Sequence, residues 1–235
     1  MDEHEPLHTT QKRLKAIWDA VPDMPGAKLT GPDWIRSPEK RGLDLLVATT
    51  LLPVYLPTVA VGASLMYFGD GVAPLFWQRR IGRNGIPFKL LKVRTMRDVR
   101  GQDASRGSAD PRALPVGKVL RKVTIDQFTE LVNVLGGDMA MANPRPLLPS
   151  DRGLMRDLLT PSEYREWDWA STIGRPGMYS TFGNESIRLE PQTEEYLRRR
   201  FECDVEDAHC ASLERDMKIL GDTAKIGWSF VGHGS

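Results

Sequence analysis

The feature that most constrains this chain is the run LLVATTLLPVYLPTVAVGASLMYF, Leu45 to Phe68, which contains no charged residue. It exceeds the roughly 18 apolar residues that mark a membrane helix. A buried core helix is the alternative, although a core helix of that length ordinarily keeps one polar face. Pro53 and Pro57 each remove an amide donor and crowd the preceding turn, so a sharp bend is expected inside the run. Both flanks are basic, with Lys40 and Arg41 before and Arg79, Arg80 and Arg83 after, and cationic flanks prefer the cytoplasmic face. A straight crossing strands one basic flank outside. The proline pair offers the bend that a re-entrant hairpin needs, so re-entry is favoured over spanning.

Ahead of this run, Thr10 to Val21 place Leu14, Ile17, Trp18 and Val21 on one face of a short helix. The Pro/Gly-rich VPDMPGAKLTGPDW breaks it, and residues 1–38 are read as a polar extension. The opening MDEHEPLHTT is acidic, unlike the basic start of a signal peptide. At 235 residues the chain can bury a substantial core. Its 32 Lys+Arg against 31 Asp+Glu leave a formal charge of +1, which gives no global reason to expect nucleic-acid binding, so any anion site must be local. The histidines His4, His8, His209 and His233 lie near the two ends, outside every motif, and give no basis for a His base or a His-bound metal. Cys203 and Cys210 match no common zinc or redox spacing and are read as reduced packing residues. No P-loop, dinucleotide fingerprint or internal repeat is present.

Downstream of the apolar run, PLFWQRRIGRNGIPFKLLKVRTM reads as two apolar, basic stretches joined by Asn84-Gly85, a dipeptide suited to positive φ in a hairpin turn. Lys89, Lys92 and Arg94 fall on the second arm. RDVRGQDASRGSADPRALP is polar and Gly/Pro-punctuated, a surface loop that serves either as a lid or as a plain connector. Beyond it, Ile125, Phe128, Leu131, Val132 and Leu135 recur at helical spacing and give a helix with one buried face, ended by Gly136-Gly137.

Two readings of the start of that helix stay open. Thr124 and Gln127 form a T-x-x-Q capping box, and Asp126 in the first turn complements the helix dipole. The cap does not account for Arg121 just before and Arg145 soon after, held in NPRP. Two arginines near a helix N-terminus suit phosphate, and a carboxylate beside a phosphate site can attack phosphorus if cations or a metal screen the charges.

The ordered set EKRGLDLL, the proline-interrupted apolar segment, WQRRIGRNGIPFKLLKVRTM, GKVLRKVTIDQ, LVNVLGGDM, NPRPLL and GRPG resembles the monotopic bacterial phosphoglycosyl transferases, the initiating sugar transferases of polysaccharide assembly, over roughly residues 39–226. The resemblance implies an enzyme at the cytoplasmic face of the bacterial inner membrane. Such an enzyme moves a sugar 1-phosphate from a nucleotide diphosphosugar, usually a UDP-sugar, to a polyprenyl phosphate, using an Asp-Glu dyad with Mg2+. It places Asp126 on the nucleophile, Arg121 and Arg145 on phosphate-binding arginines, and Lys92 and Arg94 on a basic K-x-R-T-M element. The implied fold is α+β. A re-entrant membrane helix over 39–70 is followed by a helix-rich cytoplasmic catalytic domain over 71–226 and a tail over 227–235. A homodimer stays open.

The chain departs from that pattern in three places. Gln127 stands where the family has Glu; it keeps a neutral oxygen ligand and loses the charge that would hold magnesium. Asn143 stands where the family has Gly, with the turn expected to survive because Asn tolerates the left-handed conformation. MYSTFGNES, after GRPG, lacks the usual glutamine-containing glycine motif, which puts donor recognition in question. Asp138 in GGDM is a candidate replacement ligand for the metal beside Gln127, or a plain turn Asp. Three readings follow: an active transferase with an Asp-Gln pair, a catalytically silent relative that regulates or scaffolds at the membrane, or a transferase diverted to specialised-metabolite substrates. Trp167 and Trp169 suit either the membrane interface or the core, YLRRRFE either anionic lipid or a solvated face, and LERDMKIL a last helix.

Overall fold

A computed structural model describes residues 29–95, 114–117, 128–186 and 189–232. The expected helix at Thr10 to Val21, most of the polar loop after Met96, and Arg121, Thr124, Ile125, Asp126 and Gln127 lie outside the described residues. The elements are α1 (Gly31–Arg36), α2 (Pro38–Asp70), β1 (Leu75–Ile81), β2 (Pro87–Val93), α3 (Glu130–Gly136), β3 (Ala140–Ala142), α4 (Pro149–Leu158), α5 (Pro161–Thr172), β4 (Gly177–Tyr179), α6 (Thr181–Glu185), α7 (Glu194–His209) and α8 (Leu213–Gly232). This is a helix-rich α+β arrangement with two small sheets, β1 and β2 antiparallel and β3 and β4 parallel.

The apolar run forms α2, in which Pro38 and the Ser37 cap, accepting from the Lys40 amide, set the start and left-handed Gly71 the end. Pro53 and Pro57 sit inside this one helix rather than dividing it in two. Its 33 residues correspond to about 50 Å of helix, and among the described residues it is the one helix long and apolar enough to cross a membrane. Leu46, Val54, Leu56, Val61 and Phe68 are exposed along it, an unpartnered apolar surface of the kind that needs cover.

Both halves of α2 nevertheless rest on the same folded body. Near its start, Ala48, Leu51, Leu52 and Tyr55 pack with Leu131, Val134, Met141 and Met178. Near its end, Met66 is wholly buried with Val93 and Leu114. The basic flank expected at Lys40 is partly internal: its Nζ lies 2.6 Å from Asp44 and 2.9 Å from Asp216, with only 4% of the side chain exposed. Arg41 donates to the carbonyls of Val134 and Leu135 at the C-terminal end of α3, where a cation complements the helix dipole. On the other flank, Arg80 is half-buried and donates to Gln78 and the Pro146 carbonyl. Arg79 and Arg83 remain exposed.

The hairpin forms as its turn chemistry requires: Asn84 (φ 56°) and Gly85 (φ 74°) take the left-handed conformation, and Leu75 to Ile81 pair with Val93 to Pro87. Helix α3 covers the open edge of β2 with side chains that imitate a strand. Asn133 accepts from the Leu91 amide and donates to the Lys89 carbonyl, and Thr129 donates to the Leu91 carbonyl. Such cover blocks edge-to-edge pairing.

The buried face of α3 differs from the apolar periodicity. Leu131 and Val134 are buried, but so are Glu130 and Asn133, while Val132 and Leu135 are exposed. Polar residues take inward positions because β2 and the segment after β3 supply their partners. Gly137 (φ 92°) ends the helix as expected.

A second core centres on Trp167, wholly buried among Ile35, Leu147, Met155 and Phe201. Its Nε1 donates to Asp204, so Trp167 is a core residue, while Trp169 is partly exposed beside His209. YLRRRFE lies on α7 and divides: Arg198 and Arg199 make exposed ion pairs with Glu194, Glu185 and Glu202, whereas Arg200 is buried against Asp151. Cys203 and Cys210 are free thiols, and burial pushes both upward in pKa. LERDMKIL opens α8.

Candidate active site

The run NPRPL, Asn143 to Leu147, is clamped from two sides. On one side the Arg80 guanidinium donates to the Pro146 carbonyl and the Ile81 amide to the Leu147 carbonyl. On the other, the Asn143 amide donates to the Tyr179 carbonyl and the Gly177 amide to the Pro144 carbonyl. Asn143 is not left-handed, contrary to the reason expected for its tolerance; the positive-φ non-glycine residues among those described are Asn84 and Gln192. It is instead a buried tie whose Nδ2 donates to the Arg175 carbonyl at 2.8 Å. Close approach explains Gly177, where a Cβ would stand 2.2 Å from the Asn143 carbonyl oxygen.

Clamped this way, Arg145 is brought to the start of α3. One terminal nitrogen donates to the Met178 carbonyl at 3.0 Å, and the other lies 3.3 and 3.4 Å from the two oxygens of Glu130. Lys92, near the end of β2, brings Nζ to 3.4 Å from the same carboxylate. The side chains of Lys92 and Arg145 are 19% and 23% exposed, while that of Glu130 is wholly buried. Two cations expected to bind phosphate, far apart in sequence, thus converge on one carboxylate. That carboxylate escaped the sequence reading because the apolar periodicity leaves position 130 off the buried face of the helix.

Around this centre the field is shared. Burial pushes the half-buried Arg80 down to about 10, Asp151 and Glu130 oppose that shift, and Arg145 and Arg200 add to it. Tyr179 is raised well above the ordinary phenol range by burial, with Tyr55 and Glu130 adding to the rise and Arg145 opposing it. The Tyr179 hydroxyl is 2.8 Å from that of Tyr55, whose ring stacks on Phe128 with centroids 3.8 Å apart. Tyr55 lies between Pro53 and Pro57, so the proline segment of α2 touches the site through these rings.

The remaining sequence candidates are placed elsewhere or outside. Arg94 donates to the Ala73 carbonyl at 3.1 Å and lies over the Phe76 ring. Asp138 is exposed at the opposite end of α3 from Glu130, with Asn133 donating to it at 3.3 Å. Arg121, Asp126 and Gln127 are outside the described residues. Among the described residues no three His, Cys, Asp or Glu side chains are grouped to hold a metal ion. Glu130 already holds two cations. Of the two residues expected to hold magnesium, Asp138 belongs to no such group of three among the described residues, and Gln127 lies outside them.

The pair of cations at Glu130 and the long apolar helix α2 are the features on which comparison with known proteins bears. The family model described as bacterial sugar transferase matches residues 35–229, and the chain belongs to that family. It is 32% identical over 183 residues to the UDP-glucose:undecaprenyl-phosphate glucose-1-phosphate transferase of Caulobacter vibrioides, covering 77% of this chain and 66% of the relative. It is 37% identical over 116 residues to a putative undecaprenyl-phosphate N-acetylgalactosaminyl 1-phosphate transferase of Bacillus subtilis, covering 47% of this chain and 63% of the relative. It is 28% identical over 183 residues to the UDP-glucose:undecaprenyl-phosphate glucose-1-phosphate transferase of Escherichia coli, covering 77% of this chain and 38% of the relative. The chain spans less than two thirds of these relatives.

Proposed function

We propose that the chain is a membrane-associated phosphoglycosyl transferase that moves a sugar 1-phosphate from a UDP-sugar to undecaprenyl or a similar polyprenyl phosphate, the first step of a glycan. The observation that carries this reading is the convergence of Lys92 and Arg145 within 3.4 Å of Glu130, in a family whose relatives are named for this transfer. Two fixed cations suit a diphosphate, whose charge they offset in part and whose orientation they set.

In the proposed reaction the Asp126 carboxylate attacks the phosphorus bound to the sugar. An aspartyl oxygen–phosphorus bond forms, the bond to the nucleoside monophosphate breaks, and that monophosphate leaves with the bridging oxygen. A phosphate oxygen of the polyprenyl acceptor then attacks the same phosphorus and frees the carboxylate. Lys92 and Arg145 hold the donor's phosphates through the first step. No step is assigned to Mg2+.

The apolar exposure of α2 supports membrane contact, and its attachment to one body near both ends supports re-entry from a single face over a straight crossing. A cysteine at each end of the apolar run, protected from an external impermeant thiol reagent, is the expected outcome; labelling at one end means a span.

The reaction is tested by incubating detergent-purified protein with a panel of UDP-sugars and magnesium and recording the intact mass. A gain of one phosphosugar, absent in Asp126→Asn, is expected; an equal gain in that variant removes Asp126 as nucleophile. Gln127 favours a second reading, a catalytically silent relative that binds nucleotide sugar. Under it no phosphosugar adds, no UMP is released, and Gln127→Glu restores neither.

A further inference from the structure

Burying a carboxylate costs several kcal/mol unless charges and hydrogen bonds replace its water. The chain buries Glu130 completely, in the helix that follows Asp126, against the two cations assigned to phosphate. A packing role predicts a closed pair, as at Lys40, where the partners are 4%, 2% and 6% exposed. Around Glu130 the arrangement is graded instead, with the acid wholly inside and both cations partly open to solvent.

Two cations this close repel each other. A carboxylate within reach of both holds them together. A Gln at this position keeps the shape but loses the charge that counters both cations.

We propose that Glu130 is the positioning acid of the phosphate site. It fixes Lys92 and Arg145 at a spacing that a diphosphate bridges, and it brings to the site a negative charge where Gln127 carries none. The inference rests on the reading of Lys92 and Arg145 as donor-phosphate ligands. Glu130 itself touches no reacting atom. It differs from Asp138, also a candidate to replace the missing acid, in being buried between cations rather than exposed beside Asn133.

A fixed spacing has a signature that mere stability lacks: selectivity for two linked phosphates over one. The full chain in detergent is titrated with inorganic pyrophosphate and with orthophosphate, for wild type, Glu130→Gln and Glu130→Asp. Wild type is expected to prefer pyrophosphate by about 10-fold or more, the value of one well-placed additional charged contact. Glu130→Gln is expected to fall below about 3-fold at an unfolding temperature near wild type, and Glu130→Asp to recover most of the preference. UMP release from the donor is expected to slow about 10- to 100-fold in Glu130→Gln, with a smaller change in KM.

A Glu130→Gln protein that stays folded and keeps the pyrophosphate preference overturns the proposal. Loss of preference only in step with unfolding, in both variants, also overturns it and leaves a packing acid. A wild type that shows the preference and its dependence on Glu130 but releases no UMP from any UDP-sugar sinks the transfer reaction while leaving the positioning role in place.

Discussion

Two groups of three charges in the folded body are built to opposite plans. At Lys40, one cation sits between two carboxylates. Asp44 also accepts from the Met141 amide and Asp216 from the Trp34 indole, and water is excluded. At Glu130, one carboxylate sits between two cations that keep access to solvent. The first is closed and its polar partners come from the chain itself. In the second both cations keep partly exposed side chains. Exposure of the charged partners separates the two groups more clearly than charge count does.

The largest effect that tests this contrast is expected at the clasp. Lys40→Met leaves Asp44 and Asp216 buried without their cation, and a loss of about 3–5 kcal/mol is expected, read by chemical unfolding in detergent. A change below about 1 kcal/mol would mean that water reaches the clasp and that it is not closed.

At the open group the same kind of change should fall on activity. Arg145→Lys keeps the charge but loses the planar fork; kcat/KM for the donor should drop about 100-fold with little change in unfolding temperature. A stability loss matching that at Lys40 would make both groups structural.

A further buried acid, Asp204, tests what incomplete saturation does. Its Oδ2 accepts from Trp167 and lies 3.5 Å from Arg200 Nε, but Oδ1 has no hydrogen-bond partner among the described residues. Burial pushes its pKa from 3.8 up to about 6, with Arg200 opposing the shift. The folded state then holds this proton more tightly than the unfolded chain, so stability rises as pH falls through 6 toward 4 and is lost again as pH rises. The contribution is on the order of 3 kcal/mol, and Asp204→Asn should flatten that part of a stability-against-pH curve. An unchanged curve assigns the slope to other groups.

The smallest effect belongs to Tyr55→Phe, which removes one hydroxyl from the pair with Tyr179. About 1 kcal/mol is expected, and the stacking on Phe128 is retained. A loss no larger than for an exposed Tyr→Phe change would show that the hydroxyls do not join α2 to the site.

Much of the local structure was legible before the fold was known. Asn84-Gly85 and Gly136-Gly137 declared their turns because backbone conformation at those residues is a local matter. The membrane-grade helix was equally plain from Leu45 to Phe68, and the family resemblance named Lys92 and Arg145, which the fold brings to one carboxylate. What escaped depends on distant partners. Apolar spacing put Val132 and Leu135 inside and passed over Glu130 and Asn133, whose inward positions make sense only once β2 and Arg145 lie against them. Lys40 and Arg80 were counted as flanking charges because nothing near them in sequence announces Asp216 or the Pro146 carbonyl. Asn143 was expected to serve through its conformation and serves through its amide.

The fastening of α2 near both ends has a mechanical consequence. A helix joined to its domain at a single point can change its tilt to match the thickness of the surrounding bilayer at modest cost. Here Lys40 and Met66 hold the two halves to one body, so α2 cannot tilt independently of it. Any displacement of the helix is shared by the folded unit that carries Lys92 and Arg145.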